Sequence, residues 1–276
     1  MPTVSAQSQE VRQTAATDTT DAFAAPSLPP LPPTPYGIRG WRCLRLGLHF
    51  VWGGLLTATI YPWIDGAKRL RIKQRWSRRT LELLAIRIDA PPVAMPPGCL
   101  IVANHISWLD IFAINALRPA AFIAKSEVRR WPFIGWLSAR NDTLFLHRDS
   151  RTHAREINRE IAARLAHEAD VAIFPEGTTS DGSLLHGFHA ALLQPAIDAG
   201  RPLLPLALDY RDARGNFSPA PSYAGEITLM QCFSAILACR ALTVRILPAS
   251  PIFPTDQSRR ALADAAHAAI AQQLDL

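Results

Sequence analysis

Cysteine is scarce in this chain. Its four copies in 276 residues, Cys43, Cys99, Cys232 and Cys239, show no paired or metal-like spacing. That excludes a disulfide framework and a cysteine-built metal site, and it suits a reducing compartment. Two catalytic signatures are also missing. There is no G-x-S-x-G elbow, which argues against a serine hydrolase of the common α/β type. No glycine-rich turn ends in G-K-[ST], so no Walker loop is present. His186 and His189 are spaced i, i+3, but no third ligand of suitable type lies nearby, so neither a metal nor a cofactor is expected. No internal repeat is found.

Acidic residues are nearly absent from one region. Between Arg39 and Arg87 there are eleven Lys/Arg against two acids, Asp65 and Glu82, and the formal charge of +6 is concentrated there. This region encloses LGLHFVWGGLLTATIYPWI, Leu46 to Ile64, whose only titratable groups are His49 and Tyr61. Such a length can span a bilayer, while Gly53-Gly54 and Pro62 would also suit a kinked or half-inserted anchor. Trp41, Trp52, Trp63 and Trp76 include residues suited to the interface. A basic run alone also fits nucleic acid. Beside a long apolar stretch it fits an anionic membrane surface better, so a membrane is the expected partner and nucleic acid is not. If the segment spans, the charge asymmetry puts the following body in the cytoplasm. The stretch lies too far along the chain for an ordinary cleaved signal peptide.

Three regions follow. Residues 1–35 end in PSLPPLPPTP and read as a disordered, Pro-rich leader. Residues 36–90 hold the anchor and a basic helix read through GAKRLRIKQRWSRRTLELLAIRI. Residues 91–276 begin at a Pro-rich boundary, DAPPVAMPPG, and alternate apolar strands with helical patterns. Strands are expected at 99–103, 120–124, 143–147, 171–174, 203–208, 226–232 and 242–247. Helices are expected at 107–117, 129–138, 150–169, 188–199 and 258–273. Such alternation argues an α/β domain around a central sheet.

The heptapeptide NHISWLD carries His105 and Asp110 just after the apolar run CLIVA. In a continuous helix, residues five apart point away from each other. The pair can meet only if His105 ends a strand and Asp110 opens a helix. Ser107 and Asp110 also match a capping box, so Asp110 reads equally as a helix cap and as the partner of a catalytic histidine. Downstream, FPEGTTSDG follows a strand with a turn rich in Gly and hydroxyls. It reads either as an ordinary turn or as a concavity suited to phosphate. NDTLFLHRD ends a strand at Arg148, a surface residue unless an anion lies near it. RPLLPLALDY reads as buried strand.

Together and in this order, Asn104-His105 with Asp110, Phe145 with Arg148, Phe174-Pro175-Glu176-Gly177-Thr178 and the Pro205 strand resemble the four motifs of the glycerolipid acyltransferase family. The likeness is nearest to bacterial 1-acylglycerol-3-phosphate acyltransferases. AKSE, with Lys125, and WPFIGW also resemble family segments. The chain departs from the family twice. Asp142 stands where the family has glycine, and Phe188-His189-Ala190-Ala191 replaces Phe-Lys-x-Gly.

The resemblance implies a central mixed sheet flanked by helices, with an N-terminal membrane-anchoring helical segment. It also implies transfer of a fatty acyl group from acyl-CoA or acyl carrier protein to the hydroxyl of a lysolipid, 1-acyl-sn-glycerol-3-phosphate foremost. By resemblance His105 is the base and Asp110 its partner. Arg148, Glu176, Gly177, Thr178 and Lys125 bind the acceptor's polar head, and the Pro205 strand helps form the acyl-binding region. Glu176 is expected to pair with a base such as Arg148 or to accept from a glycerol hydroxyl. A lyso-ornithine lipid O-acyltransferase would share every motif. A thioesterase would use the same base to activate water.

Overall fold

The computed structural model describes residues 31–92, 96–147 and 150–276. Residues 33–276 form one compact unit. Helix α1 (Tyr36–Thr59) carries the apolar stretch and leads through a short 3-10 turn to α2 (Gly66–Leu83), which opens where Asp65 accepts a hydrogen bond from the Lys68 amide. The body then runs β1 (Ile86–Asp89), β2 (Leu100–Ala103), α3 (Asp110–Leu117), β3 (Ala121–Lys125), α4 (Ile134–Arg140) and β4 (Leu144–Leu146). It continues with α5 (Arg151–Ala166), β5 (Val171–Ile173), α6 (Gln194–Ala199), β6 (Leu203–Asp212), α7 (Leu229–Ala238), β7 (Leu242–Pro248) and α8 (Arg259–Leu274).

The strands form one mixed sheet in the order β1-β7-β6-β2-β5-β3-β4. The five strands from β6 to β4 are mutually parallel, and β7, antiparallel to β6, carries β1 parallel at the far edge. β2 is buried at every position, as a strand covered on both faces must be. One face packs Leu81, Leu109, Ile114, Leu206, Leu208 and Ile236 beneath α2, α3 and α7. The other packs Ile161, Leu165, Leu193, Leu203, Leu262 and Ile270 beneath α5 and α8.

Three expectations about local structure are corrected. The basic helix ends at Leu83, and Ile86–Asp89 enters the sheet as β1. Its cause is local: Ala85 takes a left-handed φ of 58°, which breaks the helix, and the Leu242 amide then bonds Ala85 O to start the ladder with β7. The strand expected at 226–232 is instead the start of α7. Thr228 Oγ1 accepts from the Gln231 amide while the Gln231 side chain takes the Thr228 amide, a reciprocal cap that outweighs the β-branched pattern. The helix expected at 129–138 is broken at Trp131–Phe133. Pro132 holds Trp131 extended, and the Ile134 amide bonds Pro132 O at 2.6 Å around Phe133, which has φ 62°.

Lys73 ties α2 to the sheet. Its ammonium is buried and donates to Ala120 O (2.7 Å) and Asn141 O (3.1 Å), at the start of β3 and the turn before β4. Desolvation pulls its pKa down to about 8. In the unfolded chain Lys73 keeps its ordinary higher value. Between the folded and unfolded values the unfolded state therefore holds more protons, and this residue's contribution to stability rises with pH. Thermal melts of wild type and Lys73→Met should diverge in favour of wild type as pH rises from 8 to 10, by at most about 3 kcal/mol. A gap independent of pH would show that Lys73 is not charged in a desolvated site.

Candidate active site

The carboxyl ends of the parallel strands meet along one edge, the usual ligand position in an open α/β sheet. His105 follows β2, Glu176 and Gly177 follow β5, and Lys125 ends β3. Arg148 lies outside the described residues, and β4 ends two residues before it. Neighbouring strands bring His105 and the Glu176 turn together directly. Lys125, exposed, is one strand further out.

Asn104 fixes where the histidine sits. Its side chain donates to Leu208 O (2.9 Å) and accepts from the Leu208 amide (2.7 Å). One side chain thus supplies a further rung of the β2–β6 ladder just beyond the last backbone pair. His105 then turns out of the strand. Its carbonyl accepts from the Ser180 amide (2.8 Å), and the next carbonyl, of Ile106, accepts from the Tyr223 amide (3.0 Å).

Asp110 makes the contacts that both readings of the heptapeptide require. Its Oδ2 meets His105 Nδ1 at 2.9 Å and also accepts the amides of Ile106 (2.8 Å) and Ser107 (2.9 Å). The acid half of the capping box forms, while the helix itself begins at Asp110 rather than at Ser107. One oxygen therefore both organises the turn and receives the imidazole. The Asp110 side chain is 0% exposed and that of His105 is 21% exposed. With Nδ1 engaged, Nε2 is the nitrogen left to take a proton. The ring stacks on Phe174 with centroids 4.0 Å apart and planes at 10°, which fixes the remaining rotation.

Glu176 is buried, and each oxygen receives a backbone amide: His105 on Oε1 (2.8 Å) and His186 on Oε2 (2.9 Å). Burial pushes its carboxyl up, and the two amide bonds oppose that. Among the described residues its hydrogen bonds are thus backbone bonds that join the two loops. Gly177 has φ 70°, and a Cβ there would stand 3.1 Å from the His189 ring. Thr178 is exposed beside it. Pro205 is buried inside β6 opposite Val102, the second-to-last residue of β2. Asp142 keeps the left-handed turn that a glycine would make, with φ 64°. Among the described residues no cluster of three metal-ligating side chains occurs.

One site residue escaped the sequence reading. Tyr210 Oη donates to Asp110 Oδ1 at 2.7 Å. The available signal was a tyrosine on the buried face of an apolar strand, where its hydroxyl requires a partner.

Residues 89–209 match the model of a family described as Acyltransferase. The chain is 41% identical over 163 residues to a 1-acyl-sn-glycerol-3-phosphate acyltransferase of Neisseria meningitidis serogroup B, covering 59% of this chain and 64% of that one. It is 35% identical over 202 residues to a lyso-ornithine lipid O-acyltransferase of Pseudomonas aeruginosa, covering 73% and 78%. The match thus spans just under two thirds of the Neisseria protein's length. The crystal structure of a 1-acyl-sn-glycerophosphate acyltransferase from Thermotoga maritima shares the fold, with a TM-score of 0.63 at 20% identity over 86% of this chain and 96% of that one. By its ordered motifs, its sheet and these relatives, the chain belongs to the acyltransferase family.

Proposed function

We propose that the protein transfers a fatty acyl group from acyl-CoA or acyl carrier protein to the free hydroxyl of a lysolipid, with 1-acyl-sn-glycerol-3-phosphate as acceptor and phosphatidic acid as product. The carrying observation is the His105–Asp110 contact at 2.9 Å, with its carboxylate buried. An alcohol is a weak nucleophile at neutral pH. His105 Nε2 removes the acceptor's hydroxyl proton as the oxygen attacks the thioester carbonyl. The tetrahedral intermediate then expels the thiolate, which takes the proton back from the imidazolium. Asp110 holds the tautomer and balances the transient charge, as the aspartate of a Ser-His-Asp triad does. The substrate hydroxyl stands where that triad has serine, so no acyl-enzyme forms.

A second acceptor has specific support. The lyso-ornithine relative matches over more of its length than the Neisseria proteins do, and the segment after the third motif is altered at His189. On either reading Arg148 and Lys125 are the basic groups assigned to the acceptor's head, with Gly177 and Thr178 offering hydrogen-bond donors. Glu176 serves by holding the loop.

Membrane association rests on α1. Among the described residues it belongs to the one helical stretch long and apolar enough to cross a membrane, Tyr36–Trp63, with mean hydropathy 1.3. Trp41, Leu44, Leu48, Val51, Trp52 and Leu55 form an exposed stripe along it. Its opposite face is tied down at both ends. Arg42 donates to Cys239 O and Arg240 O, both at 2.8 Å, and Tyr61 reaches Asn141 just past the helix. A helix held alongside the body favours embedding its stripe in one leaflet over crossing the bilayer, with the body on the cytoplasmic side of a bacterial inner membrane.

His105→Ala should cut transfer by about 10²–10⁴-fold without lowering the melting temperature. Retention of activity within tenfold of wild type would remove His105 as the base. Asp110→Asn should be comparably severe and should also lower the melting temperature, because the same oxygen orders two backbone amides. Arg148→Lys exchanges a two-pronged donor for a point charge, so acceptor kcat/KM should fall about ten- to hundredfold while donor KM stays near wild type. A defect confined to the donor would reassign Arg148. Both lysophosphatidic acid and lyso-ornithine lipid should be offered, the product identified by mass spectrometry. A carbonate wash should release a fraction of the intact protein if α1 lies in one leaflet; full retention would indicate a spanning helix.

A further inference from the structure

The Asp110 carboxylate is unevenly supplied. Oδ2 receives three donors, from His105, Ile106 and Ser107, whereas the described residues supply Oδ1 with one, the Tyr210 hydroxyl at 2.7 Å. Tyr210 is 0% exposed and stands on β6 opposite Val244, on the face it shares with Leu206 and Leu208. A phenol buried so completely must bond or lose a hydrogen bond outright. Burial, then the charge of Asp110, pushes its pKa well above the ordinary value, so it stays protonated and acts as a donor.

We propose that Tyr210 is a positioning residue for the base. Its hydroxyl locks the carboxylate so that Oδ2 faces His105, and it draws charge away from that oxygen, limiting how tightly Asp110 holds the imidazolium. The kinetic consequence rests on the acyl-transfer reading; the effect on His105 itself does not. Removing the hydroxyl leaves the same negative charge with donors on one oxygen only. His105 is the one member of that set able to gain a proton, so its proton affinity rises. Among the described residues, the other titratable groups beside the pair are Glu176, from the loop after β5 with His186 against it, and Cys232 from α7; of these Cys232 also interacts with Tyr210, and as a neutral buried thiol it is not expected to change charge in Tyr210→Phe.

The test titrates His105 by nuclear magnetic resonance in the detergent-solubilised full chain with ring-labelled histidine, its signal identified by its absence in His105→Ala. In Tyr210→Phe the His105 midpoint should move up by about half a unit to one unit. Activity on lysophosphatidic acid should fall about three- to tenfold on the acid side and converge on wild type near pH 9. Val244→Ala, at the buried apolar position opposite Tyr210 on β7, should lower the melting temperature and leave the midpoint in place. Biosynthetic 3-fluorotyrosine, a stronger donor of nearly the same shape, should move it down, and this arm stands even if Tyr210→Phe folds poorly. An unmoved midpoint, or the same direction in both substitutions, would overturn the proposal. Absence of transfer by wild type would overturn the acyl-transfer reading instead, with the titration still deciding the role of Tyr210.

Discussion

The buried carboxylate of Asp110 is the interaction on which the rest of the site depends. An ionised group removed from water must be fully hydrogen-bonded or it costs several kcal/mol, and here four donors surround it. They come from the turn after β2 and from β6. The requirement therefore couples three things usually treated apart: the path of the chain out of the sheet, the start of α3, and the orientation of an imidazole. A histidine–aspartate pair built this way has little freedom to drift, because the fold itself would have to loosen to let it.

The sheet imposes the second constraint. Parallel strands deliver their following loops to one edge, so motifs scattered over more than seventy residues arrive side by side without any long-range recognition between them. β2 and β5 are adjacent, which lets Glu176 bond the His105 amide directly. Asn104 clamps the other side to β6. His105 is thus held by its backbone from two neighbouring strands and by its ring from Asp110 and Phe174. Buried polar side chains that bond backbone, not substrate, do most of the positioning.

What was legible in the sequence divides along the range of the forces involved. The buried strands β2, β5 and β6 and the helices α5 and α8 announce themselves by apolar run or period, because burial on a given face writes itself into composition. His105 and Asp110 were legible as a pair because a strand end and a helix start lie only five residues apart. β1 and α7 were not. β1 exists through its pairing with β7, a partner over 150 residues away, and nothing local marks it beyond the break at Ala85. α7 is preceded by the β-branched pair Ile227-Thr228, and the cap at Thr228 that starts it has a partner, Gln231, that is local and could have been weighed. Glu176 was identified as part of the site, but its hydrogen bonds run to two backbone amides. No residue type distinguishes a carboxylate that binds substrate from one that holds a loop.

The apolar helix divides its residues between two unlike faces, as the proposed membrane contact requires. Read as a run, Leu46 to Ile64 has the length of a membrane span. Read as a surface, it has two unlike sides. Gly53 and Gly54 sit where a Cβ would stand 2.5 Å from the Trp76 indole and 2.7 Å from the Phe133 ring, so these positions are glycine because aromatic rings of the body press against the helix backbone. The large residues lie on the opposite stripe, where Leu48 is 61% and Trp52 57% exposed. A helix crossing a bilayer alone gains nothing from concentrating its bulk on one side, since lipid surrounds it. A helix lying between protein and lipid needs that division: small residues for close approach on one face, and aromatic and aliphatic bulk to displace lipid on the other. The glycine pair, which in a bare hydropathy profile only weakens the span, is the part of the sequence that records on which side the protein lies.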